Sequence, residues 1–438
     1  MSGLLQNTLD ETLSALPANA AQELASLIDP VWIEQALHAT AKASIRHRKL
    51  PAEHAVWLVI GLALFRQMPM WQVVQEMALT LDEQALPAPS SSVQARQRLG
   101  AQPLEHLFEL LTQAWGRSHP VHADQLRVLA VDGVVWSAPD SQENRQTLGS
   151  GQTQLGPQPW PMVRAVCLLD TDSHELLDAS LGNYHQGELT LAAHLRGIDH
   201  SITLFDRAYF SAAFLLDWQG AGEQRHWLMR ARDNLRHEIV QTLGERDWLI
   251  SMPVSQRARS LHPALPSHWQ ARLFEVDIQG KRRRFITCML DWQRFAAPQL
   301  AQLYCQRWEI ELGFREIKQS LQQGKNVLRS KQPELVMQEV WGVLIAHTLL
   351  RRWMRLMAQH VKVEPVRISF HTAKHAILAA ITTVHLGRAG TLPQHLQMLL
   401  EQARYFVLPP RRSGRSFPRE IKRSRSKYPK RKCQSGLN

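Results

Sequence analysis

Two aspartates each follow a short apolar run in this chain. Asp132 ends Leu129-Ala130-Val131-Asp132 and precedes Gly133, while Asp206 ends Thr203-Leu204-Phe205-Asp206 and precedes Arg207-Ala208-Tyr209. A third acid, Glu311, lies in the stretch 303–321, LYCQRWEIELGFREIKQSL, whose periodicity predicts one amphipathic helix. At 3.6 residues per turn, Leu303, Ile310, Phe314, Ile317 and Leu321 share an arc of roughly 60°, the stripe a helix buries. Tyr304, Arg307, Glu311 and Lys318 lie beside that stripe, and Glu309 and Glu316 point to the far side, where solvent is the natural partner. An acid closing an apolar strand is often only a cap or turn residue, and a charged helix face is often only solvated. Two such aspartates in one sheet, with Glu311 on a helix packed against it, predict a cluster of three carboxylates. Close carboxylates raise one another's pKa unless cations sit between them, and hard oxygen ligands suit Mg²⁺ or Mn²⁺. Two such ions about 4 Å apart activate a water or hydroxyl and stabilise the leaving oxygen in phosphoryl transfer. The predicted substrate is a phosphodiester.

The elements that must position these residues are legible around them. Residues 1–116 read as all-helical, with segments at 4–27, 30–45, 52–66 and 70–78, and a basic patch at Arg46, His47, Arg48 and Lys49. The stretch 79–92 reads as a loop whose Ser90, Ser91 and Ser92 offer N-caps to a helix holding Arg96 and Arg98. Short helices followed by a basic one suggest a helix-turn-helix contacting DNA, although a plain helical bundle has the same pattern. After a polar linker at 116–125 the pattern changes to strands at 127–136, 162–169 and 175–180, expected as an antiparallel meander. A short helix (188–196), a strand (202–205), a helix (211–219) and a strand (226–231) complete a mixed α/β sheet domain. Glu188, opening the helix after the third strand, reads as a first-turn glutamate favoured by the helix dipole, with an accessory acid as the alternative. Residues 232–297 form a β-rich insertion between the sheet and the helix of Glu311. The helices 333–360 and 366–405 follow, giving a helical region 326–408 and a tail 409–438 expected to be disordered until bound.

Charge and cysteine usage narrow the classes. Of the formal charge of +12, residues Arg411 to Lys432 hold eleven Lys or Arg against one acid, Glu420, so the rest of the chain is close to neutral. A concentrated cationic tail is the footprint of a polyanion partner, with a merely solubilising tail as the plainer reading. The cysteines Cys167, Cys288, Cys305 and Cys433 stand far apart, which argues against structural zinc or a disulfide framework and for reduced thiols in a cytoplasmic protein. The apolar run Val56–Phe65 is half a membrane span.

Tyr304-x2-Arg307-x3-Glu311-x6-Lys318, with Asp132 in VDG and Asp206 in FDRAY, resembles the signature of the DDE transposases of the insertion-sequence-four family. The resemblance runs from the helical N-terminal region to Lys427-Tyr428-Pro429 in the tail; many relatives have Gly where this chain has Ala208. It implies a ribonuclease-H-like catalytic domain over 126–325, interrupted by the insertion, in which Asp132, Asp206 and Glu311 bind two Mg²⁺. It implies that Tyr304, Arg307 and Lys318 grip phosphates beside the cleavage point, Arg as a fork and Lys as a point charge. It further implies strand hydrolysis at the element's terminal inverted repeats, a hairpin intermediate and joining to target DNA by a homodimer, in a bacterial, nucleoid-associated setting. A base turned out of the stack would be held by an aromatic, with Trp248, Trp269 and Trp292 all open candidates. A regulator without catalysis, and a nuclease that stops after hydrolysis, are the alternatives.

Overall fold

The computed structural model describes residues 28–43, 50–77, 88–117, 126–153, 156–324, 327–383 and 392–410. The helix expected over 4–27, the basic patch 46–49 and the tail from 411 onward, with its Lys-Tyr-Pro, lie outside the described residues. The chain divides into one compact body ending at Val407 and a terminal unit from Leu408, of which Leu408, Pro409 and Pro410 are described.

The N-terminal region forms α1 (Pro30–Ala39), α2 (Ala52–Leu64), α3 (Met70–Glu76), α4 (Pro89–Leu99) and α5 (Gln102–Arg117). The cap of α1 is Asp29, whose carboxylate accepts from the Val31 N–H at 2.9 Å. In α4 the helix starts at Pro89, so Ser90, Ser91 and Ser92 lie inside its first turn instead of capping it. Proline at the first helical position explains the shift, since its missing N–H is one the helix leaves unpaired anyway. Arg96 is buried, donating to Gln338 Oε1 at 2.8 Å and to Ser330 Oγ at 3.1 Å, and so points into the interior; Arg98 is exposed.

The centre of the chain is a sheet of strands β1 (Arg127–Ser137), β4 (Met162–Asp170), β5 (Leu176–Asn183), β6 (Ser201–Phe205), β7 (Arg225–Arg230), β8 (Glu238–Gly244), β9 (Asp247–Pro253), β10 (His268–Ile278) and β11 (Lys281–Thr287). Between β1 and β4 lie α6 (Gln142–Leu148), a helix not expected from the sequence, and a two-stranded ribbon of β2 (Gln152–Thr153) and β3 (Gly156–Pro157). The order is β5-β4-β1-β6-β7-β11-β10-β9-β8. The first three strands are the expected antiparallel meander, and β6 and β7 run parallel to β1. The insertion is β-rich as expected, yet it does not stand apart: β11 pairs with β7, so its strands prolong the same sheet.

Strand alternation divides the two faces. Leu129 and Val131 pack with Leu191 of α7 (Glu188–Ala192) and with Phe214 and Trp218 of α8 (Ala212–Gly220). Ala130, Val134 and Trp136 face the other way, into a core shared with Ile310, Phe314 and Ile317 and with α12 (Pro333–His360). A short helix α9 (Gln256–Leu261) lies within the insertion, and α10 (Ala297–Tyr304), α11 (Trp308–Arg315), α13 (Phe370–Thr383) and α14 (Leu392–Gln402) complete the helices. The stretch 303–321 is thus not one α-helix. A 3-10 turn, Cys305–Arg307, separates α10 from α11, and a π-helical segment, Glu316–Leu321, follows α11. The apolar stripe survives these irregularities: Ile310, Phe314, Ile317 and Leu321 are buried.

Candidate active site

Asp132 does not close its strand: β1 continues to Ser137. The strand that ends is its parallel neighbour β6, whose last pair with β1 is Val131 with Phe205. Asp132 and Asp206 are the next residues on the two strands, and adjacent strands lie about 5 Å apart. Beyond Phe205 the chain turns away in the 3-10 turn Arg207–Tyr209, and the Asp206 carboxylate accepts from the Arg207 N–H at 2.7 Å. The end of β6 thereby opens the flank of β1 at the level of Asp132.

By alternation the Asp132 side chain shares the face of Ala130 and Val134, on which α11 packs. Glu311 arrives from α11, and the Arg307 guanidinium stands between the two acids, 2.7 Å from Glu311 Oε1 and 3.6 Å from Asp132 Oδ2. Burial pushes the Asp132 carboxyl up to about 6; the Gly133 N–H and Arg307 counter that, while Glu188 and Glu311 add to it. Burial opposes the charge on Arg307, but Tyr304, Glu311 and Asp132 around it hold its pKa above the ordinary value. Tyr304 is buried, and its hydroxyl donates to the Phe205 carbonyl at 3.1 Å, one residue before Asp206. Burial pushes that phenol up to about 12. Lys318, on the π-helical segment, is half-buried, has its pKa lowered by burial, and makes no ion pair among the described residues. The structure therefore brings Asp132, Asp206, Glu311, Arg307 and Tyr304 together where β6 ends beside β1; among the described residues no side-chain hydrogen bond or ion pair joins Lys318 to them.

The donor set is all carboxylate oxygen, the chemistry of a hard cation, and a positive group already lies between two of its members. Among the described residues, however, no three His, Cys, Asp or Glu side chains are gathered closely enough to hold an ion as they stand. Arg307 fills part of that space instead.

Four further residues border the acids. Glu188 lies over Gly133, where a Cβ would stand 2.6 Å from its Cδ, and so borders Asp132 besides opening α7. The glycine in the VDG signature is the signal: only a residue without a side chain leaves that space. Arg207 and Arg232 are exposed and line an open cleft next to Asp206, with Arg232 Nε donating to the Arg207 carbonyl at 3.2 Å. Trp308, directly after Arg307, is half exposed at 50%. Of the insertion tryptophans, Trp269 is buried against Trp227 and Phe210, Trp248 is partly buried, and Trp292 is exposed. Glu309 and Glu316, expected in solvent, turn inward: Glu309 meets His174 at 2.9 Å, and Glu316 meets His174, His347 and Arg351.

Residues 123–349 match the family model described as a transposase DDE domain, which places the chain's central half in the DDE class. Residues 18–109 match the model for the N-terminal region of the insertion element 4 transposase. The transposase InsG of insertion sequence element IS4 from Escherichia coli K12 is 37% identical over 417 residues, 94% of each chain. The putative transposase InsZ from the same organism is 35% identical over 54% of this chain and 81% of its own length. The chain belongs to the IS4 family of DDE transposases. Among solved structures, a piggyBac transposase synaptic complex with hairpin DNA aligns with a TM-score of 0.44 at 9% identity, covering 88% of this chain and 83% of that one. No helix among the described residues is long and apolar enough to cross a membrane.

Proposed function

We propose that this transposase moves its element by cut-and-paste, with Asp132, Asp206 and Glu311 as the catalytic acids. The observation that carries the reading is the placement of Asp132 and Asp206 side by side where β6 ends, with Arg307 linking Asp132 to the helix-borne Glu311. The strand order β5-β4-β1-β6-β7, antiparallel then parallel, supports a ribonuclease-H-like core over 126–325, with 232–297 as its insertion. Residues 1–116 would supply a helical DNA-binding region, 326–408 a helical support, and 409–438 a basic tail.

The three carboxylates would hold two Mg²⁺, or Mn²⁺ in their place, which when bound would supply activation of a water or hydroxyl and neutralisation of the leaving oxygen. Arg307 would release Glu311 to fork onto a phosphate beside the scissile bond, and Lys318 would add a point charge. Tyr304, whose hydroxyl is committed to the Phe205 carbonyl, supports the strand end that carries Asp206 instead of gripping phosphate. The order of events would be hydrolysis of one strand at each terminal inverted repeat, attack of the freed 3′-hydroxyl on the opposite strand to give a hairpin, reopening, and joining to target DNA. An exposed tryptophan, Trp292 of the insertion or Trp308 beside the acids, suits stacking on a base turned out of the helix. Two copies acting on paired ends as a homodimer, in the bacterial cytoplasm at the nucleoid, complete the reading.

The test is incubation of the full chain with a duplex spanning one end of its own element. Mg²⁺- or Mn²⁺-dependent nicking, a hairpin and a joined product are expected. Asp132→Asn, Asp206→Asn and Glu311→Gln should each abolish nicking while binding remains. Binding without any nicking would make the chain a regulator, and nicking without hairpin or joined product a plain nuclease.

A further inference from the structure

The inward turn of Glu309 and Glu316 has a physical cost that calls for an explanation. Glu316 lies five residues after Glu311, at the start of the π-helical segment. Its carboxylate accepts from Arg351 Nε at 2.8 Å, and His347 Nε2 and His174 Nδ1 lie 3.3 and 3.2 Å away. Arg351 and His347 belong to α12, and both are buried. His174 belongs to the turn between β4 and β5, has a φ of +59°, and reaches Glu309 with Nε2 at 2.9 Å. One imidazole thus ties the helix at two points seven residues apart, on either side of Glu311. Between them Gly313 lets the helix press on the sheet: a Cβ there would stand 2.8 Å from Leu169 Cδ1 of β4. Further along, Lys374 Nζ donates to the Ser320 carbonyl at 2.7 Å, and Trp136 Nε1 of β1 donates to Gln322 Oε1 at 2.7 Å.

Burial alone would push Glu316 up, but Arg351 and the two histidines outweigh it and hold the carboxyl well below the usual range, so the group is ionised in the interior. A buried ion cluster is weak evidence for stability, since apolar packing of the same volume does as well; its best-attested use is to fix one register. π-helical segments recur at functional sites, where they re-aim the residues they carry. The residue carried here is Lys318.

We propose that Glu316, clasped by Arg351, His174 and His347, is a positioning residue that sets the helix bearing Glu311 and Lys318 against the strand bearing Asp132. This deepens the active-site assignment above and rests on it. Hydrophobic contacts along Ile310, Phe314 and Ile317 hold the helix to the core but tolerate rotation and sliding; a charge met from two other elements does not.

The test uses the full chain carrying Glu316→Gln, which keeps size and removes charge. In the metal-free protein, amide hydrogen exchange over 308–321 should accelerate by about 10-fold or more while β1, β4 and β6 stay protected. On a duplex spanning one end of the element, single-turnover nicking in MgCl₂ should fall by roughly 10- to 100-fold with the duplex Kd within about twofold, because displacements near 1 Å cost that much. The loss should be smaller in MnCl₂, since Mg²⁺ demands near-ideal octahedral geometry. Arg351→Lys keeps the charge but loses the fork, and should show the same pattern at about a third to a tenth of the effect, which keeps the test open if Glu316→Gln fails to fold. Wild-type exchange and nicking in the variants would overturn the assignment. So would exchange accelerated across the whole chain with nicking lost in step with DNA binding, which would reduce the cluster to general stability. A wild-type chain inert with both metals would remove the active-site reading itself, and the exchange result would then decide the positioning role alone.

Discussion

The Asp132 carboxyl offers a measurable conflict between folding and function. Its pKa in the folded chain is pushed up to about 6 from an ordinary 3.8, chiefly by burial. Below 3.8 the acid is protonated in folded and unfolded chains alike, and it costs nothing. Between 3.8 and about 6 the unfolded chain loses the proton first, so folding stability falls as pH rises, and above about 6 the full penalty is in place. At about 1.4 kcal/mol per pH unit, this penalty is about 3 kcal/mol in the metal-free protein, an upper bound because the side chain keeps some solvent contact. Asp132→Asn removes the charge and keeps the shape. It should therefore stabilise the metal-free chain at pH 7.5 by about 1–3 kcal/mol, and by almost nothing at pH 3.8 or below. With an unfolding entropy of about 2 cal/mol/K per residue, the gain is roughly 1–4 °C in Tm for a body of this size. Melting curves of both proteins in a chelating buffer from pH 4 to 8 read the difference. A variant no more stable than wild type at pH 7.5, or one whose advantage is the same at pH 4, would refute the burial argument.

Other outcomes follow from the same geometry. Gly342→Ala should destabilise by about 1–3 kcal/mol despite the better helix propensity of alanine, because the new Cβ would meet the Val59 carbonyl oxygen at 2.9 Å and Cγ1 at 2.7 Å; denaturant melts check this. Arg307→Lys should slow nicking by about tenfold or more, since an ammonium cannot fork between Glu311 and a phosphate; a wild-type rate would remove the fork from the mechanism. Truncation before Arg411 should weaken binding to duplexes of any sequence and lower the slope of log affinity against log salt, and an unchanged slope would make the tail a bystander.

What was legible in the chain was whatever local pattern controls. The apolar runs located β1, β4, β6 and β7, and the helical period picked Glu311 over Glu309 for the side of Asp132. The partners of Glu309 and Glu316 were not legible, because His174 and Arg351 are brought to them by tertiary packing across long separations. A wheel assigns a charge to solvent by default and cannot see an arginine arriving from another helix. The burial of Arg96 was not legible for the same reason: its acceptor is Gln338 on α12, more than two hundred residues away. Asp132 reads as the acid that closes the run Leu129–Asp132, although the strand continues through it to Ser137 and Gly133 leaves room for Glu188. The π-helical segment after Arg315 has no signal in composition; its two ends are held by Arg351 at Glu316 and by Lys374 at the Ser320 carbonyl, both brought there by tertiary packing.

The pairing of β11 with β7 joins the insertion to the strand next to the one that carries Asp206. Phe285, Ile286 and Thr287 are laced to Arg230, Met229 and Leu228, and β7 is laced to β6, whose end carries Asp206. The strands of the inserted segment are accordingly the outer part of one continuous sheet. If DNA is held as proposed, Trp292, which follows β11, would be tethered to the same sheet that carries Asp206.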